Sequence, residues 1–286
     1  MKNPLDSLGA TVFLGFVLTG SACFSLVYWL DTISRDQVSP RASILVLIGT
    51  AALWFAAILH TRRHAHPLVD LRALSIRSYS ITIWGGSCCR LAMFAIPFLL
   101  PLLFQIGFGL SPFRSGLLLL AVFAGNLGMK PFTTPILRRF SFRATLVVNG
   151  ILNSVFILAC ALLNPTTPVP VIMALLFTTG LTRSMQLTAL STLAYAEVPE
   201  AWMSGANTLF NVMWQLSAAM GIALGALALR AADLISPGAA AGAVPLSHFH
   251  IAFLIVGAIA IIPVLDALTL DPAAGNNVRQ PKERVA

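Results

Sequence analysis

The sequence predicts an all-α, polytopic membrane protein of about eight transmembrane helices, and three observations predict it. Only 10% of the 286 residues are charged and 57% are hydrophobic, whereas soluble domains carry roughly 25% charged residues. Apolar runs long enough to cross about 30 Å of hydrocarbon recur from end to end. None of them alternates like a strand, and a backbone crossing lipid is satisfied only in helices or closed barrels. A soluble globular domain is excluded.

Taken in order, the predicted spans are 8–30, 42–60, 79–107, 116–137, 144–163, 169–194, 206–231 and 249–270. The first follows a single lysine, Lys2; it is too long for a signal-peptide core and lacks a small-residue cleavage site, so it is expected to be retained. A polar, basic connector over 61–78, containing Arg62-Arg63-His64-Ala65-His66-Pro67, separates two spans from the following six. The connection 232–247 is rich in Gly, Ala and Pro and reads as a flexible loop. The tail after Asp271 is polar and is expected to lack structure.

Loop charge sets the expected orientation. With the N-terminus in the cytoplasm, eleven of the 18 basic residues fall inside: Lys2, Arg62, Arg63, Arg72, Arg77, Arg138, Arg139, Arg143, Arg279, Lys282 and Arg284. Four fall outside (Arg35, Arg41, Arg114, Arg230), and Arg90, Lys130 and Arg183 lie within spans. The excess predicts both termini in the cytoplasm. It also explains the net charge of +8 without nucleic acid.

Charges at membrane depth are functional candidates by default. At 1.5 Å per residue, Arg90 lies about 16 Å into its span and Arg183 about 20 Å from either end, so both sit near the midplane. Lys130 is about 12 Å from Arg138, close enough to snorkel part of the way out. Asp266 is expected at the cytoplasmic interface. Asn126 shares a helix face with Lys130, and Gln186 with Arg183. The Arg183/Gln186 face is read as a cavity wall. Asn149/Asn153 and Asn211/Gln215 are read instead as hydrogen-bonding glue between helices. Gly221-x-x-x-Gly225 marks a close helix contact, and Pro97, Pro101 and Pro131 mark bends.

Other chemistry finds no support in the residues. Cys23, Cys88, Cys89 and Cys160 lie inside apolar runs and read as packing residues rather than a disulfide framework. The histidine pairs His64/His66 and His248/His250 have no cysteine or carboxylate cluster beside them, so no metal is expected. No phosphate loop, zinc-protease motif or nucleophile elbow occurs, so no cofactor and no enzymatic activity are expected.

Several segments resemble fourteen-span drug:proton antiporters, the EmrB/QacA-like branch of the major facilitator superfamily. They are His66-Pro-Leu-Val-Asp-Leu-Arg72, Pro97-Phe-Leu-Leu-Pro-Leu-Leu-Phe-Gln105, Gly109-Leu-Ser-Pro-Phe-Arg-Ser-Gly116, Leu137-Arg-Arg-Phe-Ser-Phe-Arg143, and Ala196-Glu-Val-Pro-Glu200 before Asn207-Thr-Leu. The resemblance implies that residues 1–63 correspond to spans seven and eight, 64–272 to a six-helix C-terminal bundle, and 273–286 to a cytoplasmic tail. It implies proton-coupled multidrug efflux by alternating access across a bacterial inner membrane, with a first six-helix bundle that this sequence lacks. A non-transporting half-transporter or scaffold needing a partner bundle is the alternative. The resemblance also places Arg90 and Arg183 on the two bundle helices that line the cavity. The expected substrate or coupling cavity therefore comprises Arg90, Arg183, Gln186, Lys130 and Asn126. The basic loop carries Arg138, Arg139 and Arg143, but Thr134, Arg138 and Ser141 stand where the family pattern has glycine, aspartate and glycine.

Overall fold

The structure is a computed structural model that describes residues 40–63, 71–236 and 244–279, together with most of 17–29. The described residues are helical, with no strand among them. The predicted first span is helical where it is described, within 17–29, and is followed by α1 (Pro40–Arg63). The Thr50 hydroxyl joins the two by donating to the Ser25 carbonyl at 3.2 Å as well as to Val46 in its own helix. Much of the connector, residues 64–70, lies outside the described residues, as do 237–243 of the Gly/Ala/Pro loop and 280–286 of the tail.

Six long helical passages follow. Helix α2 (Arg77–Leu102) runs on into a π-helical turn at Leu103–Gly107; then come α3 (Pro112–Arg139), α4 (Phe142–Ala159) and α5 (Val169–Ala196). After these, α6 (Met203–Ile235) precedes the paired short helices α7 (Leu246–Ile259) and α8 (Ile262–Leu268). Helix starts carry the expected caps: the Ser111 and Ser141 hydroxyls accept from the Arg114 and Ala144 amides, and Pro112 sits where no intrahelical donor is needed. Five passages among the described residues are long and apolar enough to cross a membrane. At 28 residues α5 is as long as α3, but Thr178, Thr179, Thr182, Arg183, Ser184 and Gln186 interrupt its apolar run. Its polar side chains face its neighbours rather than lipid, as intramembrane polar groups must.

Helix α2 is the axis of the bundle and takes part in all three apolar clusters of the core. Its C-terminal half packs chiefly on α3, α4 and α7; its N-terminal half packs on α4, α5 and α8, and separately on α6. The two glycines flagged as a close-contact motif do that work. A Cβ at Gly221 would strike the Phe94 side chain and the Leu91 carbonyl, and one at Gly225 would strike Phe98. Helices α3 and α5 approach even more closely: a Cβ at Gly125 would fall on the Phe177 carbonyl, and one at Gly180 on the Val122 carbonyl. On the opposite side of α3, Phe113, Leu117, Leu120, Phe123 and Leu127 are exposed in a continuous apolar row. Such a surface suits hydrocarbon and not water.

Two expectations are corrected. The last span is not one helix but breaks at Ala260–Ile261, because Pro263 has no N–H to donate to Ile259 and its ring displaces that carbonyl. The segment after Asp271 is ordered as far as Arg279. It turns through Gly275 at φ +72° and ends in one turn of helix, α9 (Asn276–Arg279). One carboxylate fixes it there: Glu197 accepts from the Gly275 amide at 3.0 Å and from the Ser78 hydroxyl at 2.6 Å. Asn277 also donates to the Ala196 carbonyl. Nearby, Asp266 pairs with Arg77 at 3.3 Å, at the bundle end to which the sequence assigned it.

Candidate functional site

Arg90 is fully buried, with 0% of its surface exposed. It projects from α2 towards α6, where its guanidinium carbon lies 5.3 Å from the Phe210 ring centre and 5.5 Å from that of Trp214. One amino nitrogen donates to Ser87 Oγ at 2.9 Å and to the Thr82 carbonyl at 3.4 Å. The other amino nitrogen and Nε have no partner. Arg183 crosses from α5 to α2, donating to the Met93 carbonyl at 3.4 Å and lying 5.2 Å from the Phe94 ring centre. Pro97 makes that contact possible. Lacking an N–H, it leaves Met93 without the donor four residues on that a regular helix would supply.

The two arginines meet through aromatic rings. Phe94 packs edge-on against Trp214 at 6.2 Å, Trp214 against Phe210 at 6.0 Å, and Phe210 against Tyr195 at 5.5 Å. Arg90 therefore touches the two middle rings of a four-ring cluster and Arg183 the Phe94 end. No carboxylate among the described residues pairs with either arginine. The cluster holds two positive charges compensated only by ring faces, carbonyls and one hydroxyl, an arrangement that strengthens cation–π attraction because water is excluded.

Beside the rings, α6 carries Asn207, Asn211 and Gln215 at four-residue spacing, all exposed. Asn211 donates to Asn207 on its own helix, and the Tyr195 hydroxyl reaches Asn207 from α5 at 2.9 Å. The expectation that Asn211 and Gln215 glue helices together is corrected, since neither is buried between helices. Asn149 does serve as glue, donating to the Thr182 carbonyl and to Gln186 Oε1, both at 2.8 Å. Those bonds place Gln186, 3% exposed, between α4 and α5 rather than on an open wall. Asn153 is buried with Oδ1 unpartnered. It lines a small cavity of about 10 Å³ together with Arg183, room for about one water molecule.

Lys130 is exposed and Asn126 half-buried, both on α3; neither takes part in the ring contacts or hydrogen bonds of the cluster. Arg138, Arg139 and Arg143 stand at the α3–α4 connection, where Arg139 lies 5.9 Å from the Phe140 ring centre. Cys89 and Cys160 are buried free thiols and Cys88 is half-buried, while Cys23 lies outside the described residues. The aromatic residues escaped the sequence reading, yet a signal was present. Arg90 and Phe94 are four apart on α2, as are Phe210 and Trp214 on α6, so each pair shares a helix face.

The family model for the major facilitator superfamily matches residues 7–222. The chain belongs to that superfamily. Among its relatives in the superfamily is the provisionally named multidrug resistance protein MdtD of Pectobacterium carotovorum, 29% identical over 93% of this chain and 56% of the relative. MdtD of Cronobacter sakazakii is 29% identical over 77% of this chain and 46% of its own length. MdtD of Escherichia coli is 30% identical over 75% and 46%. The chain thus spans about half the length of the curated relatives it matches. Superfamily membership, with the spans described above, makes this a multi-pass membrane protein of a transporter family rather than an enzyme.

Proposed function

We propose that this chain supplies the C-terminal bundle of a proton-coupled exporter of drugs or other small molecules, of the EmrB/QacA-like kind. It works by alternating access against a second six-helix bundle across a bacterial inner membrane. Residues 1–63 are the two linker helices, 64–272 the bundle and 273–286 the cytoplasmic tail, with both termini inside. The observation that carries this reading is the pair of mid-span guanidiniums, Arg90 and Arg183, held on one aromatic cluster with no carboxylate paired to them among the described residues. Charge at that depth is costly, and a bundle keeps it where a pathway needs it. The exposed amides of Asn207, Asn211 and Gln215 support the reading from the other side. A face with three exposed amides is costly to turn to hydrocarbon and suits water or protein.

In this mechanism Arg90 and Arg183 set a positive potential at the midplane. They attract anionic groups of a substrate or hold down the proton affinity of an acid on the opposing bundle. Lys130 and Asn126, on α3, and Gln186, behind Arg183, complete the proposed site. Arg138, Arg139 and Arg143 form the cytoplasmic loop facing the partner bundle.

The test is dye efflux driven by an imposed proton gradient, in membrane vesicles carrying the chain. Arg90→Ala and Arg183→Ala are expected to lose it together at unchanged expression; normal efflux in both would sink the assignment. The alternative, a scaffold that does not transport, predicts no gradient-driven efflux from the unaltered chain.

A further inference from the structure

We infer that the half-buried faces of Phe94, Tyr195 and Trp214 form a stacking shelf for planar aromatic ligands bearing an acidic group, and that the same shelf disfavours planar cations. The inference rests on the proposed pathway for the direction from which the ligand arrives, but the shelf itself is a matter of geometry.

Three observations combine. First, the rings are contiguous but not coplanar: Phe94 stands at 77° to Trp214, Phe210 at 42° to Trp214 and Tyr195 at 59° to Phe210. A planar ligand stacked on one ring therefore meets the next ring as a wall. Trp214 links Phe94 on α2 to Phe210 on α6, and Phe210 links on to Tyr195 on α5. Phe94, Tyr195 and Trp214 all keep part of their surface open, whereas Phe210 is 6% exposed and serves as their backing. Stacking on such rings is tolerant of ligand detail because every planar aromatic has a π-face.

Second, two of these rings, Phe94 and Trp214, and the backing ring Phe210 already carry cations. Arg90 is wholly buried beneath Phe210 and Trp214, and Arg183 lies against Phe94. An aromatic face normally attracts organic cations. Here that attraction is already taken up in part by the two arginines, and the rings lie in the field of two guanidiniums that no described carboxylate offsets. In a medium of low dielectric constant that field reaches across a ring, drawing an anion and repelling a cation.

Third, the rim is polar on one side only. Asn207, Asn211 and Gln215 stand exposed along α6 next to Trp214, and the Tyr195 hydroxyl is tied to Asn207. Amides at the rim can donate to a carboxylate or sulfonate while the ring system lies on the shelf. The ligand class is therefore a flat, apolar body with one acidic group at its edge.

The experiment uses the full chain in lipid nanodiscs and three probes with the same ring system: 2-naphthoate, neutral 2-naphthamide and 2-naphthylmethylammonium. Equilibrium dialysis, corrected with empty nanodiscs, gives the three dissociation constants. Naphthoate is expected to bind at least about tenfold more tightly than the ammonium probe, with the amide between them. Trp214→Ala is expected to weaken all three by about five- to tenfold, Trp214→Phe to restore most of that, and Arg183→Gln to erase the preference for the anion while leaving amide binding in place. Restoration by Trp214→Phe separates a lost shelf from a misfolded bundle. Equal or tighter binding of the ammonium probe overturns the inference, and so does naphthoate binding that Trp214→Ala leaves unchanged. Failure of the exporter reading looks different: naphthoate binds as expected, yet no proton gradient drives its movement.

Discussion

Replacing Arg90 by methionine is expected to leave the bundle as stable as before while abolishing its function. Placing a charged side chain at the middle of a membrane helix costs about 2.5–3.5 kcal/mol on insertion scales. Against this, the charged hydrogen bond to Ser87 at 2.9 Å contributes about 1.5–2 kcal/mol. The 3.4 Å contact with the Thr82 carbonyl adds a few tenths. The Phe210 and Trp214 faces, shielded from water, add about 2 kcal/mol each, while the two buried nitrogens left without a partner cost about 1–3 kcal/mol each. These terms nearly cancel. Methionine has much of the same length and no charge to desolvate, so Arg90→Met should shift stability by no more than about 1 kcal/mol in either direction. Arg90→Ala leaves a void beside two aromatic rings and should cost about 2–4 kcal/mol. The assay is unfolding of the nanodisc-extracted chain in increasing SDS, followed by circular dichroism, alongside vesicle efflux. If Arg90→Met is destabilised by more than about 3 kcal/mol, the arginine is a structural keystone, and the claim that its charge is kept for function is wrong.

Three further outcomes follow from the packing. Gly180→Val should leave no folded chain in the membrane, because its side chain would occupy the Val122 carbonyl; Gly116→Val, with nothing within 4 Å, should accumulate normally. Pro97→Ala supplies the N–H that Met93 lacks and so competes with Arg183 for that carbonyl. Its expected signature is a raised melting temperature with a severalfold loss of efflux, and undiminished efflux would refute the competition. Glu197→Ala removes the acceptor shared by Gly275 and Ser78. Hydrogen exchange at the Gly275 amide should accelerate about tenfold or more, with little change in the α3–α5 core.

The helical passages were legible because a lipid-crossing helix announces itself by composition alone: the span predicted at 79–107 and the helix with its π turn at Arg77–Gly107 nearly coincide. The break in the last span was written in Pro263, but an unbroken hydropathy signal masked it. The order of the segment after Asp271 was not legible, because it depends on Glu197, which is 78 residues from Gly275 in sequence. The same limit governs the site. Arg90 and Arg183 stood out singly as charges in apolar runs. That they share one aromatic cluster depends on how α2, α5 and α6 pack, and no spacing along the chain encodes it. Gln186 and Asn211 show the reverse failure. Helix periodicity gave each a face, but only the neighbouring helices decided which faces were covered.

The interruption at Ala260–Ile261 bears on how force passes along the last membrane crossing. A continuous helix behaves as a rod, and a displacement at one end reappears at the other. Here the regular ladder gives way to three-residue bonds, Ile261 to Ala258 and Val264 to Ile261, between two short cylinders. The upper one leans on α4, with Gly257 set against Leu158, while the lower one is moored to α2, where Asp266 meets Arg77 and abuts Gly85. The crossing is jointed, so its two cylinders are held by different neighbours and need not share one axis.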